Sequence, residues 1–460
     1  MTPKHTRRNF LANSLAAGTA LSAIGGAGPL MRLAQAAGPK GTGTPTVTDR
    51  YFIFCYFGGG WDILLSLDPR DPNVFTADVA AQTRILPAYE SLNAAPEQML
   101  IPTSHGFLGG YLGDLATKHA DKISVVRGIN METLSHDAGQ KRFVTGKPPS
   151  GTQARGSSAA TWFSSMLGQG NIIPQLASGT QSFNADQPTW ASPIKVANVG
   201  DLLSAVRPQD PHLDPLMNQQ IEALLAEAAE CPKAQGSAFR TAAELARGKS
   251  VEMAAGGLDA GFDFAKNSPE MAAVRDHYGF SGSQLSSGAA RAAMAARAVI
   301  NGVSRVVSVN VAGGLDTHFD NWTRDQGPRQ MAGFNAIARM MEDLAAHQYF
   351  ETGDSWLDHT NIVAFSEFSR TALINERGGR DHWLNNACLV AGADIQGGKA
   401  VGQSSDVGMQ PMPFDPETGL ADEGGVVLKP EHVMQTFFHS LGVTNDPADL
   451  RVGPISALMK

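Results

Sequence analysis

RYFIFCYFGGGWD, residues 50–62, is an unbroken apolar run closed by three glycines and a carboxylate. Apolar residues at every position, with no polar alternation, mark a strand buried on both faces, and such strands belong to parallel sheets covered by helices on either side. The same form recurs in KISVVRGI, SRVVSVNVAGGLDTH, TNIVAFSEF and NACLVAG. Between these runs lie helical periods at 107–120, 219–230, 286–301, 329–348 and 431–442. Strand and helix alternating in this way predict an α/β fold with a doubly wound, mostly parallel central sheet.

Two regions fit that alternation poorly. Residues 147–212 are rich in Gly, Ser, Pro and Gln and read as loop with short elements. Residues 213–300 are Ala-rich and helical, which predicts an inserted helical lobe beside the sheet. The stretch 402–429, dense in Gly, Pro and Asp, reads as a surface excursion before the last helix. The expected organisation is therefore one α/β domain over 37–460 carrying these insertions.

The first 36 residues read as a cleavable export signal. A basic start (Lys4, His5, Arg7, Arg8), a long weakly apolar stretch and the small-residue site Ala34-Gln35-Ala36 carry that reading. Thr6-Arg7-Arg8-Asn9-Phe10-Leu11 resembles the twin-arginine motif, which implies passage through the twin-arginine translocase in the folded state, to the periplasm or beyond. No run of 18 apolar residues follows, so no stable membrane anchor is expected. The removed segment holds four Lys/Arg and no Asp/Glu, which takes the formal net charge from −8 to −12. That acidity argues against nucleic acid as a partner. The three cysteines, Cys55, Cys231 and Cys388, give no disulfide framework, and Cys55 and Cys388 sit in strand-like runs as buried thiols.

In open α/β sheets ligands bind beyond the carboxyl ends of the strands, so the polar residues that follow the apolar runs are the candidates. They are Asp62, Asp316 with His318, and Glu367, with Ser135-His136-Asp137 and Asp381-His382 near by in sequence. Carboxylates and imidazoles gathered at one sheet edge repel and desolvate one another unless a cation neutralises them, which predicts a metal site. Each has a plainer reading: Asp62 as a turn cap, Asp316 as a helix cap, His136 as an ordinary satisfied histidine. Glu132 and the other histidines, His105 and His347 among them, read as structural.

Six segments, FGGGWDILLSLDP, LSHDAGQKRFVTG, VNVAGGLDTH, AFSEFSRT, GGRDHW and GADIQGGKAVG, follow in order the motifs of the DUF1501 family, exported bacterial proteins that resemble the alkaline phosphatase and sulfatase superfamily. The resemblance implies an alkaline phosphatase-like fold, with Ser135 as nucleophile at a helix N-terminus, Arg370 or Arg142 as the cation that steadies developing charge, and Asp62, Asp316, His318, Glu367 and His382 as metal ligands. His136, Asp137, Asp320 and Asp381 are secondary candidates. The implied activity is metal-dependent hydrolysis of a small-molecule or polymer ester of phosphate or sulfate, with Mg, Mn, Ca or Zn as cofactor.

The sequence also departs from the superfamily pattern. Phe368 stands where the superfamily pair has a histidine, and Asp316 and His318 are one residue apart rather than three, with Asp320 at the i+4 position. Those departures favour a harder, oxygen-ligated metal, or a non-catalytic binding or assembly protein that keeps the fold. An oxidoreductase accessory role has no dinucleotide fingerprint, C-x-x-C or C-x-x-C-H to support it.

Overall fold

Strand β1 (Tyr51–Phe57) is buried at all seven positions. In the computed structural model, which describes residues 49–207, 215–230, 238–255 and 257–460, it lies inside an eight-stranded sheet. The 1–36 signal and Cys231 lie outside the described residues. The other strands are β2 (Ile123–Asn130), β3 (Ile173–Ser178), β4 (Ile194–Val196), β5 (Ser304–Ala312), β6 (Thr360–Ser366), β7 (Asn385–Gly392) and β8 (Lys399–Val401). Their order across the sheet is β8-β2-β7-β6-β1-β5-β3-β4.

The two faces of β1 explain its unbroken apolar run. Tyr51, Ile53, Cys55 and Phe57 pack into one cluster with helices α3 (Gly288–Ile300) and α4 (Gly327–Ala346). Phe52, Phe54 and Tyr56 pack into another with α1 (His136–Thr145), α2 (Ala159–Leu167) and α5 (Pro430–Ser440). Full burial of each large apolar side chain is worth roughly 1.5–3 kcal/mol, so a polar residue at any of these positions would be costly. Cys55 and Cys388 are buried, free thiols, and burial pushes both well above the usual thiol range. Among the described residues no helix is long and apolar enough to cross a membrane.

Several expected elements differ. Residues 107–120 form a strand at Gly106–Gly109, a tight turn and only Asp114–Lys118 as helix. Gly113, at φ 60°, sits in a conformation that a continuous helix cannot pass through. NACLVAG, expected as a parallel strand, is β7 and runs antiparallel to both β2 and β6, while every other pairing in the sheet is parallel. The loop-rich stretch 147–212 supplies α2, strand β3 and the edge strand β4; buried polar Gln175 on β3 is satisfied by Thr161 and Ser182, so the strand lacks a plain apolar signature. Within 213–300, α3 packs on β5 and α4 as part of the sheet's covering layer, its alanines buried on all sides. Small side chains let it sit close: a Cβ at Gly288 would stand 1.8 Å from Val311 O.

Because β1, β2, β5 and β6 are parallel, their carboxyl ends open on one edge. After β6 the chain turns through a two-stranded ribbon, Ser369–Arg370 paired with His382–Trp383, and re-enters the sheet as β7. The reversed strand therefore begins at the edge where its neighbours end, which brings His382 to Phe368, the residue after Glu367.

Candidate metal centre

Four pieces of chain meet at this edge: the glycine loop after β1, the loop after β5, the start of α1, and the ribbon between β6 and β7. Helix α1 starts at Ser135, whose backbone is extended, and stops at Gly146 in the left-handed conformation. Gly139, one turn in, lies directly against the end of β6. A Cβ there would be 2.3 Å from Glu367 O, so only glycine lets the helix approach this closely.

Each histidine is fixed through its Nδ1. His136 Nδ1 donates to Glu367 Oε1 at 2.7 Å, His318 Nδ1 to Asp381 Oδ1 at 2.6 Å, and His382 Nδ1 to the Leu134 carbonyl at 2.7 Å. A carboxylate or carbonyl can only accept, so these partners place the proton on Nδ1 and leave each Nε2 with a lone pair. The three Nε2 atoms then converge on one oxygen, Asp316 Oδ1, at 3.4 Å from His136, 3.0 Å from His318 and 3.3 Å from His382. His318 Nε2 and His382 Nε2 lie 2.9 Å apart. Lone pairs so close to one another and to a carboxylate repel unless a proton or a metal ion stands among them. The edge of a tetrahedron with metal–nitrogen bonds of about 2.0–2.1 Å is about 3.3–3.4 Å, close to these separations. His136, Asp316 and His382 each offer one ligand atom within 4.8 Å of the other two, and His318 stands beside them against Asp316 and His382.

The surroundings tune these groups. Partial burial works against the Asp316 charge, but the hydrogen bond and charge of Arg370, with His382 and His136, overcome it and hold the carboxyl at about 2. The Glu367 hydrogen bond raises His136 above the usual imidazole value, whereas burial and then Arg370 push His382 below it. Glu367 is 1% exposed. Burial opposes its charge, yet donors from His136, Ser366 and Gly59 N keep its carboxyl below the ordinary range. Phe368 is fully buried, with its ring centroid 4.8 Å from His136 and 4.2 Å from His382. Beside these two histidines the chain therefore presents an apolar wall.

Several expected site residues lie elsewhere. Asp62 is buried and committed: it accepts from Trp322 Nε1 at 2.8 Å and Leu64 N at 3.1 Å and pairs with Arg380 Nε at 3.1 Å. Arg380 itself is fully buried, and the pair ties the β1 loop to the ribbon rather than facing the histidines. Arg370 is buried too, with Nε on Gly60 O, Nη1 on Arg380 O and, at 3.4 Å, His318 Nε2, and Nη2 on Gly59 O and Asp316. It positions Asp316 and has no donor left for an incoming group. Arg142 points away to Glu132 and Glu431. Asp137 pairs with Lys141 and Gln181 on the outside of α1, and Asp320 is exposed, its carbonyl accepting from Thr323. Glu367 and Asp381 stand behind His136 and His318 as orienting carboxylates. Ser135 is exposed, and its side chain does not cap α1. Reasoning from strand ends underweighted His136 and gave Arg380 no role; the unexplained arginine in GGRDHW was the signal for a buried carboxylate partner.

The family profile described as "Protein of unknown function (DUF1501)" matches residues 74–419. The chain belongs to this family. In this DUF1501 protein the matched span contains α1, the β5 loop, the β6–β7 ribbon and every histidine of the cluster. Among solved structures, a protein in the alkaline phosphatase superfamily from Vibrio parahaemolyticus is similar over 93% of this chain and 77% of that chain, at 11% identity and a TM-score of 0.37. No curated protein matches the sequence.

Proposed function

We propose that this DUF1501 protein is an exported, metal-dependent hydrolase of phosphate or sulfate esters. The observation that carries the metal is the convergence of three Nδ1-anchored imidazoles on Asp316 Oδ1. Two imidazole nitrogens and one carboxylate suit zinc or a similar borderline ion, and suit magnesium or calcium poorly, which reverses the oxygen-ligand expectation drawn from the departures above. His136, Asp316 and His382 would hold the ion. Bound there, it supplies Lewis-acid polarisation of the ester oxygen.

The rest of the work falls to the chain. Ser135, one residue before a ligand and at the N-terminus of a ten-residue helix, presents a hydroxyl with no partner to an incoming ester. The first backbone N–H groups of α1 point toward the same end and favour the developing negative charge. Asp381 holds His318 in a fixed tautomer, so His318 Nε2 can deliver or take a proton at the leaving oxygen. Export through the twin-arginine route would let the site fill and fold before translocation.

A second reading rests on His318 as well. If His318 closes the set as a fourth ligand, no position is left for substrate, and the centre is structural in a non-catalytic binding protein. One experiment separates the two: metal content and turnover of aryl phosphate and aryl sulfate for wild type, S135A, H136A and H318A. Hydrolysis predicts that H136A loses metal and activity, while H318A and S135A keep metal and lose turnover. A wild type that carries stoichiometric metal without turnover, and an H318A protein that loses it, would establish the structural reading. Wild-type protein free of divalent metal would sink both.

A further inference from the structure

At the β8 edge of the sheet, a cavity of about 400 Å³ is lined by residues that the metal centre does not use. Asp68 and Arg70 reach it from the segment after β1, His105 from the turn between Leu100–Thr103 and Gly106–Gly109, Arg127 from β2, and Gln403 and Asp406 from the loop after β8. Its volume falls in the range of small-molecule sites, roughly 300–1,000 Å³.

The charges around it are unevenly placed, one carboxylate buried and the other at the rim. Two guanidiniums, Arg70 with 10% and Arg127 with 15% of the side chain exposed, share one buried carboxylate, Asp68 at 3%. Asp68 is satisfied by Arg70 and Ser404. The other carboxylate, Asp406, is 70% exposed and only approaches Arg70 Nε at 3.3 Å. Asp406 thus answers Arg70 from the rim, which leaves Arg127, 3.6 Å from an Asp68 already held by Arg70 and Ser404, as the less closely paired guanidinium.

Donors are also left over. Arg127 spends Nε on Leu67 O and Nη2 on Phe107 O, and Nη1 has no protein acceptor among the described residues. His105 Nε2, which is enclosed, has no hydrogen-bond partner among the described residues, while Arg70 Nε faces Asp406. Burial and then the Arg127 charge lower His105 below the usual imidazole value, and a bound anion would reverse that pressure.

We propose that this cavity is a binding site for a small oxyanion, carried as phosphate, sulfate or carboxylate. Arg127 Nη1 and His105 Nε2 are the donors that an anion would satisfy, beside a guanidinium that Asp68 pairs only at 3.6 Å. The site is separate from the metal centre and does not depend on its activity.

Titration calorimetry of the full chain with inorganic phosphate tests this, repeated with sulfate and acetate to find which oxyanion the cavity prefers. Binding at one site is expected, at least tenfold weaker in H105F and R127Q and unchanged in H136A. H105F fills one wall while leaving the Arg127 anchors intact, so it reports even where R127Q folds poorly. The proposal is overturned if wild type binds none of the three anions, or if H105F leaves affinity unchanged, including the case in which only H136A abolishes binding.

Discussion

Replacing Asp62 by Asn separates a buried salt bridge from a metal ligand. Asp62 is 1% exposed and faces Arg380, which has no exposure at all, and burial raises the Asp62 pKa above the ordinary value despite Arg380, Trp322 and Leu64. Removing one partner of a buried pair leaves the other charge uncompensated, at a cost of about 3–5 kcal/mol. Asn can still accept from Trp322 Nε1, so the indole adds little to that figure. Unfolding entropy near the midpoint is roughly 0.9 kcal/mol per kelvin for a chain of about 400 residues, so the expected fall in Tm is about 3–6 °C. Calorimetry and elemental analysis are run on the same preparation. D62N is expected to melt early and keep its metal. A D62N protein with unchanged Tm and lost metal would refute the placement of Asp62 outside the centre.

Three further outcomes are expected. E367Q keeps an acceptor for His136 but removes the charge behind it, and metal affinity measured by chelator competition should fall about 10–100-fold. G139A drives a methyl into Glu367 O, so it should cost about 1–3 kcal/mol and also weaken metal binding as α1 shifts; G248A, with nothing within 4 Å, should do neither. His347 is raised above its usual pKa first by its hydrogen bond to Asp343, so its contribution to stability is complete below pH about 6.5 and is lost as pH rises through the elevated value. Wild-type Tm minus H347Q Tm should therefore shrink from pH 6 to pH 9, and a constant difference would count against the pairing.

Much of this edge was readable in the chain because a parallel sheet sorts its residues by direction. Once RYFIFCYF is a strand buried on both faces, the polar residues after similar runs are brought to one edge, where Asp316, His318 and His382 meet and Glu367 holds His136 beside them. The direction of β7 was not readable, since an apolar strand has no polarity in its pattern; only the short Ser369–Arg370 and His382–Trp383 ribbon reverses it. Strand β3 was hidden because it carries the buried polar Gln175, satisfied by Thr161 and Ser182, and the edge strand β4 because it is only three residues long.

The misplacement of Asp62 is the more instructive difference. A carboxylate that must be buried after a strand requires a cation, and the sequence pattern is the same whether that cation is a metal ion or a guanidinium. The structure divides the two cases by the company each carboxylate keeps. Asp62 meets one arginine and two N–H donors, so its charge is answered from within the fold. Asp316 meets Arg370 and also three imidazole nitrogens whose protons are held on the far side of each ring. Arg370 cancels the carboxylate charge and reaches one of those lone pairs, at His318 Nε2, 3.4 Å from Nη1, but it offers nothing to His136 or His382, so a shared proton or a metal ion completes the arrangement at Asp316. Loss of metal on substituting His136, with Arg370 intact, is the consequence of that distinction.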